Sequence, residues 1–226
     1  LNRKKIKNFL MKNQRISHVL TNIYNYIPFN NVINVGAKNS LICHGILKQT
    51  KIRVSGENNK IIIGELSRII NSNIEIKGNN NIIMIGDESL ITEGEFFIED
   101  DLGTIKIGRD TKVCGKTHFA CIEGSGIIVG DDCLFSANIT IRTGDSHSIV
   151  DFKTRQRLNP SKCVVIGDHV WIGNQVTILK GVTIPEHTII GTGSIVTKSC
   201  EQRNAIIVGN PAKVVKTSVD WFGQRI

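Results

Sequence analysis

The residues best suited to chemistry in this 226-residue chain lie in Gly144-Asp145-Ser146-His147. Transfer of a group to a hydroxyl needs a base that takes the proton as the oxygen attacks. Imidazole titrates near neutrality and suits that task, which makes His147 the candidate base. Asp145, two residues earlier, is placed to orient the ring or raise its basicity; a turn-forming Asp is the competing reading. Trp171 follows His147 by 24 residues and directly precedes Ile172. Its indole is expected on the surface, where it can pack against a ligand or a neighbouring chain.

The elements that must position these residues announce themselves as repeats. Ile63-Gly64, Ile85-Gly86, Ile107-Gly108 and Val129-Gly130 recur every 22 residues, in step with Ile61, Ile83, Ile105 and Ile127 and with Val54, Ile76 and Ile98. Further on the period tightens to six, through Ile166, Ile172, Ile178, Ile184, Ile190 and Val196. A period of six fits neither a helix nor a hairpin alternation. It fits an all-β solenoid in which each hexapeptide makes a short strand and a corner, and three complete a triangular coil of about 18 residues. The 22-residue coils are expected to carry about four extra residues at a corner. The six-residue series is interrupted between Ile141 and Ile166, a gap of 25 residues that contains His147. A polar, flexible insert at 145–162, thrown out from a rigid solenoid, is where functional residues collect. His118 lies on an earlier coil and is a candidate for the acceptor side, together with Arg142. His169 and His187 read as surface residues.

Residues 1–30 break the pattern. Ile6, Phe9, Leu10, Ile16, Val19, Leu20 and Ile23 have helical spacing, and Pro28 ends the stretch. The expected organisation is an N-terminal helical cap over 1–30, a β-helix over 31–211 with the protruding loop, and a tail over 212–226 folding back as a strand or short helix. The cap carries Arg3, Lys4, Lys5, Lys7, Lys12 and Arg15 with no acidic residue, so most of the net charge of +8 sits there. Such an arm suits an acidic polymer or a membrane surface, or forms a solvated face. The six cysteines contain no C-x-x-C pair and suit small core positions in a reducing compartment. No apolar run is long enough to span a bilayer, and the charged start is not followed by the apolar core of a secretory leader. A cytoplasmic protein, peripheral at most to the inner membrane, is expected.

The stretches VVIGDHVWIGNQVTILKGVTIPEHTIIGTGSIVTK and VGNPAKVV resemble the hexapeptide-repeat acyltransferases. SANITIRTGDSH, residues 136–147, is similar to the branch that acetylates sugar hydroxyls, including enzymes of capsules and other surface polysaccharides. The resemblance implies a left-handed parallel β-helix, a homotrimer with active sites between subunits, acetyl-CoA as donor and a carbohydrate acceptor. Sialic-acid polymers are among the acceptors it brings into view. It also implies that Gly173, Asn174 and Thr192 lie near the thioester and pantetheine, that Thr197 and Lys198 reach the distal part of the donor, and that Lys213 serves the CoA phosphates. A plain corner role is the competing reading for Asn174 and Thr192. One departure stands out. Relatives acting on galactosides and maltose carry an acceptor-holding Asn ahead of the His loop, and Lys116-Thr117-His118-Phe119 supplies none. A simple disaccharide is therefore not the expected acceptor.

Two other enzymes fit the same repeat. An N-acyltransferase on an amino sugar nucleotide would use the same base and donor. A zinc hydratase of the γ class would need three histidines around a metal, and His118, His147 and His169 lack the close pair that class carries. A non-enzymatic solenoid with a flat threonine array is set aside, because Trp171 and Ile189 interrupt the row. Neither a metal nor nucleic acid is expected as a partner.

Overall fold

The computed structural model describes residues 14–26 and 30–224. A helix, Gln14–Asn25, is followed by a parallel solenoid of about eight turns, a left-handed β-helix. The helix meets the first coil through the buried Asn25, whose Nδ2 donates to the Gly45 carbonyl (2.9 Å) and whose Oδ1 accepts from the Leu47 N–H (2.8 Å). Of the helical residues expected from the sequence, Ile6, Phe9, Leu10 and Pro28 lie outside the described residues.

Each coil lays one strand on each of three sheets, here faces A, B and C in the order the chain visits them. Face A runs from Val32–Asn34 to Ile195–Val196, face B from Ser40–Cys43 to Thr183–Ile184, and face C from Ile46–Lys48 to Ala205–Gly209. A final strand, Ala212–Thr217, turns back antiparallel on Ala205–Gly209. Ile61, Ile83, Ile105 and Ile127 stack in register on face B. In the tighter coils Ile166 stacks on Ile184, Ile172 on Ile190 and Ile178 on Val196. All ten of these side chains are essentially inaccessible to solvent. Phe96, Phe119 and Phe135 add a ladder of rings inside, with centroids 4.8 and 6.1 Å apart.

The four extra residues of the wide coils do not bulge at one corner. They lengthen two faces: strands such as Asn73–Lys77 and Ile82–Ile85 replace the two-residue strands Thr177–Ile178 and Thr183–Ile184. Each long strand turns two isoleucines inward, Ile74 with Ile76 and Ile83 with Ile85, so the added length is used to bury more apolar surface. The cysteines also divide. Cys121 and Cys133 are buried, whereas Cys114 and Cys163 are exposed, against the expectation of core positions throughout. Cys133 continues a corner ladder of hydroxyls, accepting from the Val170 N–H and donating to the Gly167 carbonyl one coil above Thr111.

Corners close by side chains that bridge successive coils. Between faces A and B, Asn59 Oδ1 accepts from the Asn81 N–H (2.9 Å), and Asn81 Oδ1 accepts from the Gly103 N–H (2.6 Å). Asn81 Nδ2 donates to the Asp100 carbonyl (3.0 Å). These backbone groups would otherwise be buried without partners. Replacing the fully buried Asn81 by Ala strips partners from Gly103 and Asp100 and should cost about 2–4 kcal/mol in denaturant unfolding. Asn79→Ala, on the outer side of the same corner, should cost about 1 kcal/mol or less, because water takes its place.

Candidate active site

The interruption at Ile141–Ile166 makes a single coil of 37 residues where its successor takes 18: Thr140 pairs with Thr177 and Val165 with Thr183. The excess leaves the solenoid between faces A and B, after the strand Ile139–Arg142, and returns at Val164–Ile166. His147 lies at the root of this insert and is exposed.

The insert is not loose. Val150 and Arg157 form an antiparallel bridge. Asp151 Oδ1 accepts from the N–H groups of Lys153 (3.0 Å) and Thr154 (2.7 Å) and closes the tip. The buried Asn159 ties the base: its Nδ2 donates to the His147 carbonyl and to Asp145 Oδ2, both at 2.8 Å, and its Oδ1 accepts from the Ile149 N–H. Glu123, on the preceding coil, binds Arg157 Nη2 (2.6 Å) and the Ser161 N–H (3.1 Å). Lys180, on the following coil, reaches Asp145 Oδ2 (2.5 Å) and the Asn159 carbonyl (3.1 Å). The segment carrying His147 is thus clamped from the coils on both sides.

Asp145 belongs to that clamp. Its carboxylate meets Lys180 and Asn159, and no hydrogen bond joins it to the His147 ring, so it positions the loop backbone rather than the imidazole. The Lys180 ammonium, then Asn159, hold its pKa below the ordinary carboxylate range. Arg142 donates to Ser146 Oγ (2.8 Å), one residue from His147. Glu95, His118 and Thr140 stack outward along face A, at the start of its strands and two positions before Arg142 in register. Burial pushes the His118 pKa down; Glu95 opposes and Arg142 reinforces the shift. Its buried Nδ1 has no hydrogen bond, although Glu95 Oε2 lies 3.3 Å away without meeting hydrogen-bond geometry. His118 and Arg142 thus lie on face A, whose A–B edge carries His147.

Trp171 does not join them. It sits on face C between Leu134 and Ile189, partly exposed, and face C lies opposite the A–B edge that carries His147. The residues expected to bind the donor are split in the same way. Gly173, Asn174 and Thr192 occupy the C–A corners beside Trp171, whereas Thr197 and Lys198 lie on the A–B edge and Lys213 on the terminal hairpin. Asn174 has structural work, its Oδ1 accepting from the Ala137 N–H (2.9 Å). A Cβ on Gly173 would meet the Thr192 N–H at 2.8 Å, so this corner admits only glycine. Gly193 is different: its α-carbon opens on empty space, leaving backbone accessible to an extended ligand. Thr192, Thr197, Lys198 and Lys213 are exposed.

The three histidines weighed as zinc ligands are dispersed. His118 is on face A, His147 on the A–B edge and His169 on the B–C edge, and they form no shared group among the described residues. Sequence reasoning missed Lys180, Asn159 and Glu123. Coil register carries a signal for two of them: continuing the Thr140–Thr177 pairing places Lys180 beside the insert's root, and continuing the Thr117–Ile139 pairing places Glu123 opposite Asp145. Asn159 lies inside the insert, where register gives no guide.

The pattern of the family described as bacterial transferase hexapeptide (six repeats) matches residues 163–198. A polysialic acid O-acetyltransferase of Neisseria meningitidis is 34% identical over 89% of this chain and 90% of its own length. The crystal structure of the polysialic acid O-acetyltransferase OatWY superposes with a TM-score of 0.81 at 33% identity, covering 85% of this chain and 92% of that one. The polySia-specific acetyltransferase NeuO gives a TM-score of 0.78 at 29% identity, covering 86% and 90%.

The clamp makes a checkable prediction. Asp145→Asn and Lys180→Ala should lower kcat by up to about 10²-fold through misplacement of His147, with only a small change in Tm, because the pair lies at the surface and is partly exposed. The folded-state pKa of Asp145 is depressed, so its contribution is complete above the unfolded value of about 3.9 and is lost as pH falls through the lower folded value. Between pH 5 and 9 neither variant should change the shape of the pH–rate profile.

Proposed function

The chain belongs to the hexapeptide-repeat acyltransferases, alongside the polysialic acid O-acetyltransferases, and on that footing we propose that it transfers acetyl from acetyl-CoA to a hydroxyl of an anionic surface polysaccharide, with His147 as general base. The observation that carries this reading is His147 held at the root of a clamped insert, in a fold shared with two such enzymes along most of its length. The imidazole takes the proton of the acceptor hydroxyl as the oxygen attacks the thioester carbonyl. The tetrahedral intermediate then collapses, the CoA thiolate leaves, and the proton follows it from the imidazolium. The similarity to O-acetyltransferases favours a hydroxyl over an amine acceptor.

The reaction centre is shared between copies. Within one chain the body of the prism separates His147 from Trp171, so a site using both takes the A–B edge of one subunit and face C of the next. A homotrimer with three such sites satisfies this with closed symmetry. Two apolar surfaces support contact between copies. Ile42, Ile62, Met84, Ile128 and Val165 form an outward column on face B, broken only by Lys106, and Ile149, Phe152 and Leu158 project from the insert. The acetyl-CoA donor would run along the groove between subunits, with its pantetheine against the open backbone at Gly193 and its phosphates near Lys198 and Lys213. His118 and Arg142 would face the acceptor.

Two experiments test this. His147→Ala should lose about 10²–10⁴-fold in turnover and flatten the rise of rate with pH, leaving acetyl-CoA affinity nearly unchanged. Trp171→Ala should weaken substrate binding and keep the pH profile. Mixing the two variants by unfolding and refolding together should restore about a quarter of the wild-type sites, since a site is whole when each neighbour supplies its intact residue. No recovery on mixing would place His147 and Trp171 in different functions. The second experiment concerns charge. Arg157 is engaged with Glu123, which leaves Lys153, Arg155 and Lys162 exposed on the insert. The apparent KM for a polysialic acid should rise steeply with salt between 50 and 300 mM, while that for a neutral glycan should be higher and nearly flat. Equal KM values at all salt concentrations would exclude an anionic acceptor.

A further inference from the structure

A second set of chemical groups lies away from this centre, on the B–C edge. His169 and His187 occupy that edge on successive coils, and the tail returning along it delivers Asp220 and the buried Trp221. The Trp221 ring stacks on His169 (centroids 4.3 Å apart), and its Nε1 donates to the His169 carbonyl (2.9 Å). His169 Nδ1 donates to Asp132 Oδ2 at 2.7 Å. Its other nitrogen, Nε2, also faces acceptors: the Trp221 carbonyl at 3.1 Å and Asp220 Oδ1 at 3.3 Å. An imidazole with an acceptor against each nitrogen requires a positive centre at the second one, either a proton or a metal ion.

The spacing accommodates the metal. Asp220 Oδ1 is 3.3 Å from His169 Nε2 and 3.5 Å from His187 Nδ1, and all three ligand atoms lie within 4.8 Å of one another. Bonds of about 2.0–2.1 Å at tetrahedral angles set neighbouring ligand atoms about 3.3–3.4 Å apart. Asp132, gripping Nδ1, supplies the carboxylate–histidine–metal relay that fixes the tautomer and makes Nε2 a better ligand. The carboxylate is single, the nitrogens are two, and the site is half-exposed; this set suits zinc and its neighbours better than calcium or magnesium.

We propose that His169, His187 and Asp220 form a binding site for a transition-metal dication that pins the C-terminal tail to the solenoid. The role is structural and local. The tail's Trp221 lies 6.3 Å, ring to ring, from Trp171, so the ion would brace the wall behind the indole assigned to the reaction centre. This departs from the metal-free reading of the sequence, which had no means of seeing that a residue 51 positions beyond His169 closes the site.

The test uses the full chain, free of any purification tag and stripped with a chelator, titrated with Co²⁺ and with Zn²⁺. One Co²⁺ per chain should bind, with the visible absorption of tetrahedral nitrogen and oxygen ligation. Zn²⁺ should displace it and raise Tm. Trp171 and Trp221 are the chain's two tryptophans, so quenching of intrinsic fluorescence by Co²⁺ reports this location directly. His187→Gln and Asp220→Asn, both partly exposed, should abolish the spectrum and the quenching, and Asp132→Asn should weaken binding about 10–100-fold. Absence of Co²⁺ binding would overturn the proposal and leave a proton on His169 Nε2. Binding that survives His187→Gln would overturn it as well. In that case loss of binding in His44→Gln would move the ion to the other group of potential ligands, His18, His44 and Glu65. None of these readouts depends on acetyl transfer, so their failure is separate from failure of the proposed activity.

Discussion

The parallel register between coils is the constraint on which everything else rests. A coil has no core of its own; its inward isoleucines are buried only by those of the coils above and below, and its backbone groups find partners there too. A slip of one residue would turn Ile83 or Ile172 outward and break the corner ladders at Asn81 and Thr111 together. The chain can therefore leave the solenoid at one place and still fold, provided it returns in step. The insert meets that condition: Thr140 pairs above with Thr177, and Ile128 with Val165, as if the intervening residues were absent. The loop bearing His147 inherits the rigidity of two coils that are locked to one another across its exit.

Much of this was legible in the residues, because the period in the sequence is the period of the structure. Every aliphatic position in the 22- and six-residue series stacks on its counterpart, and the outward position of Trp171 followed from the inward one of Ile172. The partition of the four extra residues was not legible. A period counts residues per coil but not per face, and only the pairing of Ile74 with Ile76 on one long strand reveals where they go. Asp145 shows a different limit. Its closeness to His147 in sequence suggested an orienting carboxylate, but a turn separates the two, and the nearest opposite charge comes from Lys180, 35 residues on. The tail is further still from sequence reasoning, since Trp221 reaches His169 through a hairpin whose docking has no periodic signature.

Charge is distributed so that the insert stays fixed and yet presents a basic surface. Asp145 and Glu123, its acidic anchors, are engaged with Lys180 and Arg157. Each pair is worth little as stability, being at the surface and partly exposed, but together with Asn159 they define one geometry for the backbone at His147. Lys153, Arg155 and Lys162 are left facing solvent on the same element. A polyanion drawn to them would be delivered to the edge that carries His147, which gives attraction and positioning to different residues of one loop.

A triangular prism imposes a last consequence. An edge and the face opposite it cannot meet without crossing the core, and the core here is filled by Phe96, Phe119, Phe135 and the aliphatic columns. His147 on the A–B edge and Trp171 on face C are thus separated by the element that makes the fold stable. Thickening or thinning the prism would not bring them together; a second copy would, were its own face set against the first chain's edge. If both residues serve one reaction, assembly and catalysis become the same event. A lone chain would hold the base and the indole in good order, each facing solvent, with no cleft between them. Stability of the single solenoid and activity of the assembled protein then respond to different residues: the first to the inward columns and corner ladders, the second to the outward column on face B and the apolar side chains of the insert.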